Sequence, residues 1–133
     1  MATVFDPGSP SGQPPMVIPV PLHRRRQRQR GYNQSELLAR SAARVLRFPL
    51  YPDGLKRKRE TLPQSGLTDR QRMENVQAAF EIGSGLPVQG RQILLVDDIL
   101  TTGATLNACA RVLLASGAAG VDVLTLARVP HLP

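Results

Sequence analysis

The chain is 133 residues long and carries 17 Lys and Arg against 10 Asp and Glu, a formal net charge of +7. That length suits one domain with a real core and is small for a doubly wound enzyme. The charge favours anionic partners such as phosphorylated metabolites, nucleic acid or a membrane surface. No apolar run approaches transmembrane length, and no basic segment leads into a hydrophobic one at the N-terminus. The expectation is therefore a cytoplasmic protein without membrane insertion. The single cysteine, Cys109, excludes a disulfide framework or a cysteine zinc site within this chain. Hydrophobic residues make up 41% and aromatics only 4%, so aliphatic side chains must build the core.

Met1 to Pro15 holds four prolines, two glycines and two serines. Such a composition buries little surface and is expected to be a disordered leader, with the domain running from 16 to 133. Met16 to Val20 reads as a strand, in which Pro19 is tolerated only near an end or on an edge. His23 to Arg30 then places five arginines in eight residues, closed by Gly31. On its own this octamer is equally a solvated, self-repelling loop, an anion-binding loop or a nucleic-acid patch. Asn33 can cap a helix, and Glu36 three residues later completes a box-like start. Leu37, Leu38, Ser41, Ala42, Val45 and Leu46 are expected to form the apolar face of that helix through about Arg47, and Pro49 ends it.

Leu50 to Lys58 reads as a strand with a turn at Pro52-Asp53-Gly54. Lys56-Arg-Lys-Arg59 is a second basic cluster and opens a polar segment to Leu67. Thr68 can cap a short helix over 69–75, and the chain returns to apolar residues between Val76 and Ile82. A long polar loop inside a compact domain is usually functional or disordered. Gly83 to Gly90 makes a turn.

Ile93 to Val96 is a continuous apolar run rich in branched residues, as expected of a strand buried on both faces of a parallel sheet. Asp97 and Asp98 follow at its carboxyl end. Thr101-Thr102-Gly103-Ala104-Thr105 then leads into a helix with apolar residues at helical spacing from Leu106 to Leu114, which Gly117 terminates. Val121 to Ala127 forms the last strand. Helix and strand alternation after Met16 implies βαβ units with right-handed crossovers, hence an α/β fold.

The bland account of the acidic pair is a buried strand whose aspartates cap the next helix. The continuation argues for more, because three hydroxyls share one turn with several backbone N–H groups, a nest suited to a phosphate monoester. Nearby carboxylates would repel that phosphate unless they address Mg²⁺ or sugar hydroxyls. A ribose 5-phosphate satisfies both halves. No Gly-rich loop ending in Gly-Lys-Ser/Thr and no G-x-G-x-x-G is present. A response-regulator receiver also pairs acids after an apolar strand, but it needs that strand near its beginning, so with 35 residues after Asp98 a receiver is not expected.

Ile93-Leu-Leu-Val-Asp-Asp-Ile-Leu-Thr-Thr-Gly-Ala-Thr105 resembles the phosphoribosyl pyrophosphate (PRPP) motif of type I phosphoribosyltransferases. Within these the chain is most similar to the competence protein ComF family, related to amidophosphoribosyltransferases. Val20-Pro-Leu-His23, Arg30-Gly-Tyr-Asn-Gln34, and Gln64-Ser-Gly-Leu67 followed by Arg72 to Phe80 carry that narrower match. The resemblance covers roughly Val17 to Arg128. It implies a three-layer α/β fold with a mostly parallel sheet. Members of the family usually begin with a cysteine zinc ribbon and another segment before the equivalent of Val17, so the chain is expected to be an N-terminally shortened version.

The same resemblance implies roles for residues. Asp97 and Asp98 would hold the ribose hydroxyls, directly or through Mg²⁺, and Thr101, Thr102, Gly103, Ala104 and Thr105 would cradle the 5-phosphate. Leu22, His23 and Arg24 would form the pyrophosphate loop. Arg59 through Arg72 would close over the substrate, with Arg59 placed among the catalytic residues beside the two aspartates. Mg²⁺ is the expected cofactor, and PRPP or another ribose 5-phosphate compound the expected ligand. Cys109 is expected to be a small core residue, and His131, in a Pro-flanked tail, to be incidental.

Two functions follow as expectations. One is a Mg²⁺-dependent phosphoribosyltransferase or PRPP-binding protein of the competence type, associated with DNA uptake in natural transformation. The alternative is a non-catalytic factor that handles single-stranded DNA or joins the competence helicase machinery, with a vestigial or regulatory PRPP site. The clusters Arg24–Arg30 and Lys56–Arg59 suit either polyanion. Aromatics for base stacking are scarce, Tyr32 and Tyr51 being the only tyrosines. The acceptor nucleophile is not legible, and assembly into a homo-oligomer is left open.

Overall fold

The computed structural model describes residues 12–21, 33–58, 68, 70, 79–100 and 103–128. The elements are β1 (Met16–Pro19), α1 (Gln34–Leu46), β2 (Leu55–Arg57), β3 (Phe80–Ile82), β4 (Gln92–Leu100), α2 (Ala104–Ala115) and β5 (Gly120–Arg128). A three-stranded sheet runs β1-β4-β5, and β2 and β3 form a separate antiparallel pair. Both ladders of the main sheet are parallel, with Met16 opposite Ile93 and Ile93 opposite Val121. Beyond β1, Leu50 makes a single parallel bridge to Val17, stitched by Val17 N–H to the Pro49 carbonyl and Tyr51 N–H to the Val17 carbonyl.

Alternation along the strands splits the core in two. Met16, Ile18, Ile93 and Leu95 face one way and pack with Leu106, Ala108, Cys109 and Leu113 of α2 and with Leu55 and Phe80 of the β2–β3 pair. Val17, Leu94 and Val96 face the other way, onto Ala39 and Ala43 of α1. The result is three layers, helix on sheet on helix, which is the α/β class with a mostly parallel sheet that the sequence predicts. β4 is central and apolar from Ile93 to Val96 because both its faces and both its edges are covered.

β4 is longer than the apolar run: it continues through both aspartates to Leu100, and Asp97 stays in register with Thr125 of β5. β1 ends at Pro19, opposite Val96. Pro19 therefore sits at a strand end, where its missing N–H costs no ladder bond. The Leu50–Lys58 strand is shorter than expected, because the turn at Pro52–Asp53 leaves only Leu55–Arg57 to pair with Phe80–Ile82. Gly83 is required where this pair crosses that turn, since a Cβ there would run into the Asp53 carbonyl oxygen. Of the leader, residues 1–11 lie outside the described residues. Its described end is held, with Pro15 fully buried and the Pro14 carbonyl accepting 2.8 Å from Arg91 Nη2. The expected helix over 69–75 also lies outside the described residues, apart from Arg70.

Helix α1 starts as expected, with the Asn33 side chain accepting from Ser35 N–H at 3.0 Å. Glu36 ion-pairs with Arg40 at 3.4 Å, which directs it along the helix. The helix stops at Arg47, in the left-handed region with φ 58°. The face it buries is a correction to the sequence expectation. Ser35, Ala39 and Ala43 are buried, whereas Leu37, Val45 and Leu46 are exposed. Small side chains at four-residue spacing let the helix axis approach the sheet closely, and larger ones would hold it away. Ala39→Leu is therefore expected to destabilise by about 1–3 kcal/mol through overpacking. Val45→Ala should stay within roughly 0.5 kcal/mol. Urea denaturation of both variants checks the assignment, and the reverse ranking would refute it.

Candidate functional site

The two helices leave neighbouring strands toward opposite faces. β1 leads to α1 on the Val17–Leu94–Val96 face, and β4 leads to α2 on the Ile93–Leu95 face. A crevice opens at such a point, outside the carboxyl ends of the strands, and open α/β sheets bind ligands there. Asp97 and Asp98 stand at that position, immediately beyond the last residue of β4 that pairs with β1. The junction is fastened by Val20 N–H to the Val96 carbonyl at 2.8 Å and by Asn33 Nδ2 to the Val20 carbonyl at 3.2 Å.

Asp97 is half-buried, and its Oδ1 accepts from Ser35 Oγ at 2.9 Å and from Asp98 N–H at 2.9 Å. Burial raises the Asp97 carboxyl from its ordinary 3.8 to about 6; the hydrogen bond from Ser35 opposes the rise, and the adjacent Asp98 carboxyl adds to it. Asp98 is half-buried as well. The crevice thus concentrates negative charge where water is partly excluded.

Cys109 of α2 is fully buried in the core against the Ile93–Leu95 face of β4. Burial pushes its thiol up to about 12, with the Asp97 charge adding to the rise and the Arg57 charge opposing it. Arg57, at the end of β2, lies over the Phe80 ring with its guanidinium carbon 5.3 Å from the centroid.

Helix α2 begins at Gly103, whose φ of 82° is ready for glycine and strained for other residues. Gly103 has no side chain with which to cap the helix, and the first turn of α2 directs its backbone amides toward the strand-to-helix connection. Ala104 and Thr105 occupy that first turn, exposed and half-buried respectively. Asp97 and Asp98 near the end of β4 and Gly103, Ala104 and Thr105 at the start of α2 therefore flank one strand-to-helix connection. Thr101 and Thr102 lie outside the described residues, as do Leu22, His23, Arg24 and Arg59.

Two participants escaped the sequence analysis. Ser35 is not singled out by the sequence, yet its hydroxyl donates to Asp97; its spacing with Ala39 and Ala43 is the available signal, because it continues their buried stripe into the crevice. Arg57 was one member of a basic cluster. Nothing in the local sequence distinguishes it from Lys56 and Lys58, since its place depends on the Arg57–Phe80 register of β2 with β3.

The phosphoribosyl transferase domain matches residues 33–133. The chain belongs to that family. Its curated relatives include competence and DNA-utilization proteins, as the ComF-type resemblance implied. The chain is 42% identical to DNA utilization protein YhgH of Escherichia coli strain K12 over 115 residues, covering 86% of this chain and 50% of the relative. It is 40% identical to Competence protein F of Haemophilus influenzae over 116 residues, covering 86% and 51%. Competence protein ComFC of Bacillus subtilis is 36% identical over 114 residues, covering 85% and 44%. The chain thus spans about half the length of the curated relatives it matches. Among the described residues, no helix is long and apolar enough to cross a membrane.

The raised Asp97 pKa makes a signed prediction. The folded carboxyl, near 6, binds its proton more readily than the unfolded one, near 3.8. Its contribution to stability is therefore largest below about 3.8 and is lost as pH rises through 6. Metal-free protein should accordingly gain thermal stability between pH 7.5 and 5. Asp97→Asn should flatten this part of the profile and raise Tm at pH 7.5 by roughly 2–6 °C. A wild-type Tm that falls steadily over the same interval, with the variant unchanged, would contradict the assignment.

Proposed function

We propose that this protein binds PRPP with Mg²⁺ at the crevice between β1 and β4, and transfers or senses its phosphoribosyl group in a competence-type role. The observation that carries the proposal is the pair Asp97–Asp98 at the open carboxyl end of the central strand, joined within five residues to the glycine-started α2. One end of the site is anionic and the other presents helix amides. A ligand with sugar hydroxyls at one end and a phosphate monoester at the other matches both.

A divalent cation fits the residues present. Asp97 and Asp98 are hard oxygen donors side by side, and their mutual repulsion helps hold Asp97 near 6. Among the described residues no group of three or more His, Cys, Asp or Glu comes together. Mg²⁺ suits such a sparse set, because it keeps several waters and is commonly held by one or two carboxylates together with substrate phosphates. When bound it would neutralise charge on the departing pyrophosphate.

The chain's own residues would do the rest. Ser35 orients the Asp97 carboxylate through its 2.9 Å hydrogen bond. Asp97 and Asp98 would fix the ribose, directly or through the cation, and their charge would favour the cationic character that develops at the anomeric carbon. Thr101, Thr102, Gly103, Ala104 and Thr105 would hold the 5-phosphate at the α2 terminus. Leu22, His23 and Arg24 would meet the pyrophosphate, and Arg59 would shield the reacting centre from water.

The names of the relatives favour a second arm for the same proposal. Since those proteins are named for DNA utilization and competence, handling of single-stranded DNA is the alternative, with the PRPP crevice regulating it. The net charge of +7 suits such a polyanion.

Titration calorimetry tests the first arm. Wild-type protein should bind PRPP in the presence of Mg²⁺ and lose that binding in EDTA. Asp98→Asn and Asp97→Asn should each weaken it by about 10–100-fold. No heat from wild type, or equal heat from Asp98→Asn, would reject the site. A gel shift with single-stranded DNA tests the second, where retardation should fall steeply with salt and respond to PRPP.

A further inference from the structure

Among the described residues the buried polar side chains are Ser35 and Thr125, 3% and 7% exposed. Both stand beside Asp97. Ser35 Oγ donates to its Oδ1 at 2.9 Å, and Thr125 is its register partner on β5. Burying a hydroxyl is unfavourable unless the group is used. The polar side chains admitted to this core are thus gathered around one carboxylate.

Ser35 is also held from behind. Its N–H donates to Asn33 Oδ1 at 3.0 Å, Asn33 Nδ2 donates to the Val20 carbonyl at 3.2 Å, and Val20 N–H donates to the Val96 carbonyl at 2.8 Å. Val96 is bonded covalently to Asp97, so these contacts close a ring through Asp97, Ser35, Asn33, Val20 and Val96. The ring joins the start of α1, the chain just beyond β1 and the rim of β4. A side chain placed by such a circuit is oriented before any ligand arrives.

An ionised carboxylate oxygen has about two lone-pair sites. On Asp97 Oδ1 both are taken, by Ser35 Oγ and by the Asp98 N–H, each at 2.9 Å. The hydrogen bonds that Asp97 accepts among the described residues therefore fall on one oxygen. We propose that Asp97 divides its carboxylate: Oδ1 is a structural acceptor fixed by Ser35, and Oδ2 is the single oxygen it offers to the ligand, to a ribose hydroxyl or to the cation. Ser35 is then a positioning residue that acts through Asp97. This inference rests on the crevice being an Mg²⁺–PRPP site, and adds which atom of Asp97 serves it. In Asp97→Asn the same two donors would retain the carbonyl oxygen and turn the NH₂ group to the ligand, so the variant presents a donor where an acceptor is needed.

Titration calorimetry of the full chain with PRPP and Mg²⁺, together with amide NMR of the ligand-free protein, tests this division. Ser35→Ala should weaken binding by about 5–30-fold. Ser35→Cys, which keeps the shape of the side chain but donates poorly, should weaken it as much. Ser41→Ala, the same change on the exposed side of α1, should leave it unaltered. Because Ser35 acts only through Asp97, Ser35→Ala combined with Asp97→Asn should bind no more weakly than Asp97→Asn alone. In the ligand-free protein the Asp98 amide signal should move in Ser35→Ala and in Ser35→Cys, since that N–H shares Oδ1 with Ser35, while the amides of β2 and β3 stay in place. An absence of wild-type binding would refute the site itself, and this inference with it. Wild-type binding that Ser35→Ala leaves intact, losses at 35 and 97 that add, or an unmoved Asp98 amide would overturn the division of Asp97 and leave the site standing.

Discussion

The constraint on which this molecule depends is the double enclosure of β4. Both edges of that strand are hydrogen-bonded in parallel ladders, to β1 and to β5, and both faces are covered, by α2 on one side and α1 on the other. Within such a strand a polar side chain has no partner and no water, so Ile93 to Val96 must be apolar. Polar chemistry can begin only where one ladder runs out. β1 runs out opposite Val96, and the next two residues are the aspartates. The site is therefore located by the length of a neighbouring strand.

That placement also sets the electrostatics. A carboxylate at the rim of a dry core is poorly solvated, and a second beside it makes ionisation less favourable still. The Ser35 hydroxyl, carried in from α1, returns part of that cost by donating to Asp97. The crevice is thus assembled from three separate stretches of chain. β4 contributes the acids, α1 the hydroxyl that steadies one of them, and α2 the amide terminus opposite. A cation would relieve the repulsion and gather the ligand's own oxygens in the same place.

Much of this was legible from residue order. A branched apolar run followed by two acids, a glycine turn and a periodic segment describes a buried strand feeding a helix, and the motif from Ile93 to Thr105 carried the family with it. The failures share a physical cause. The α1 face was chosen by hydrophobicity, so Leu37, Val45 and Leu46 outranked Ser35, Ala39 and Ala43, although Leu38 does pack against the core. The structure instead buries the small side chains, because close helix–sheet approach depends on volume as well as polarity. Arg57 and Ser35 owe their roles to partners 23 and 62 residues away, Phe80 and Asp97, and a local pattern carries no information about contacts at that range. The extension of β4 through its acids was hidden because a charged pair looks like a strand end.

Cys109 lies in the core beneath the acidic pair, with a thiol pushed up to about 12. Only the thiolate reacts with disulfide reagents at a useful rate, so in the closed fold this sulfur is chemically silent. It becomes reactive only when α2 parts from the sheet far enough to admit water. The single thiol of the chain is therefore a native-state clock: under conditions where reclosure outpaces modification, its labelling rate measures the free energy of opening for the layer on which the acidic pair rests.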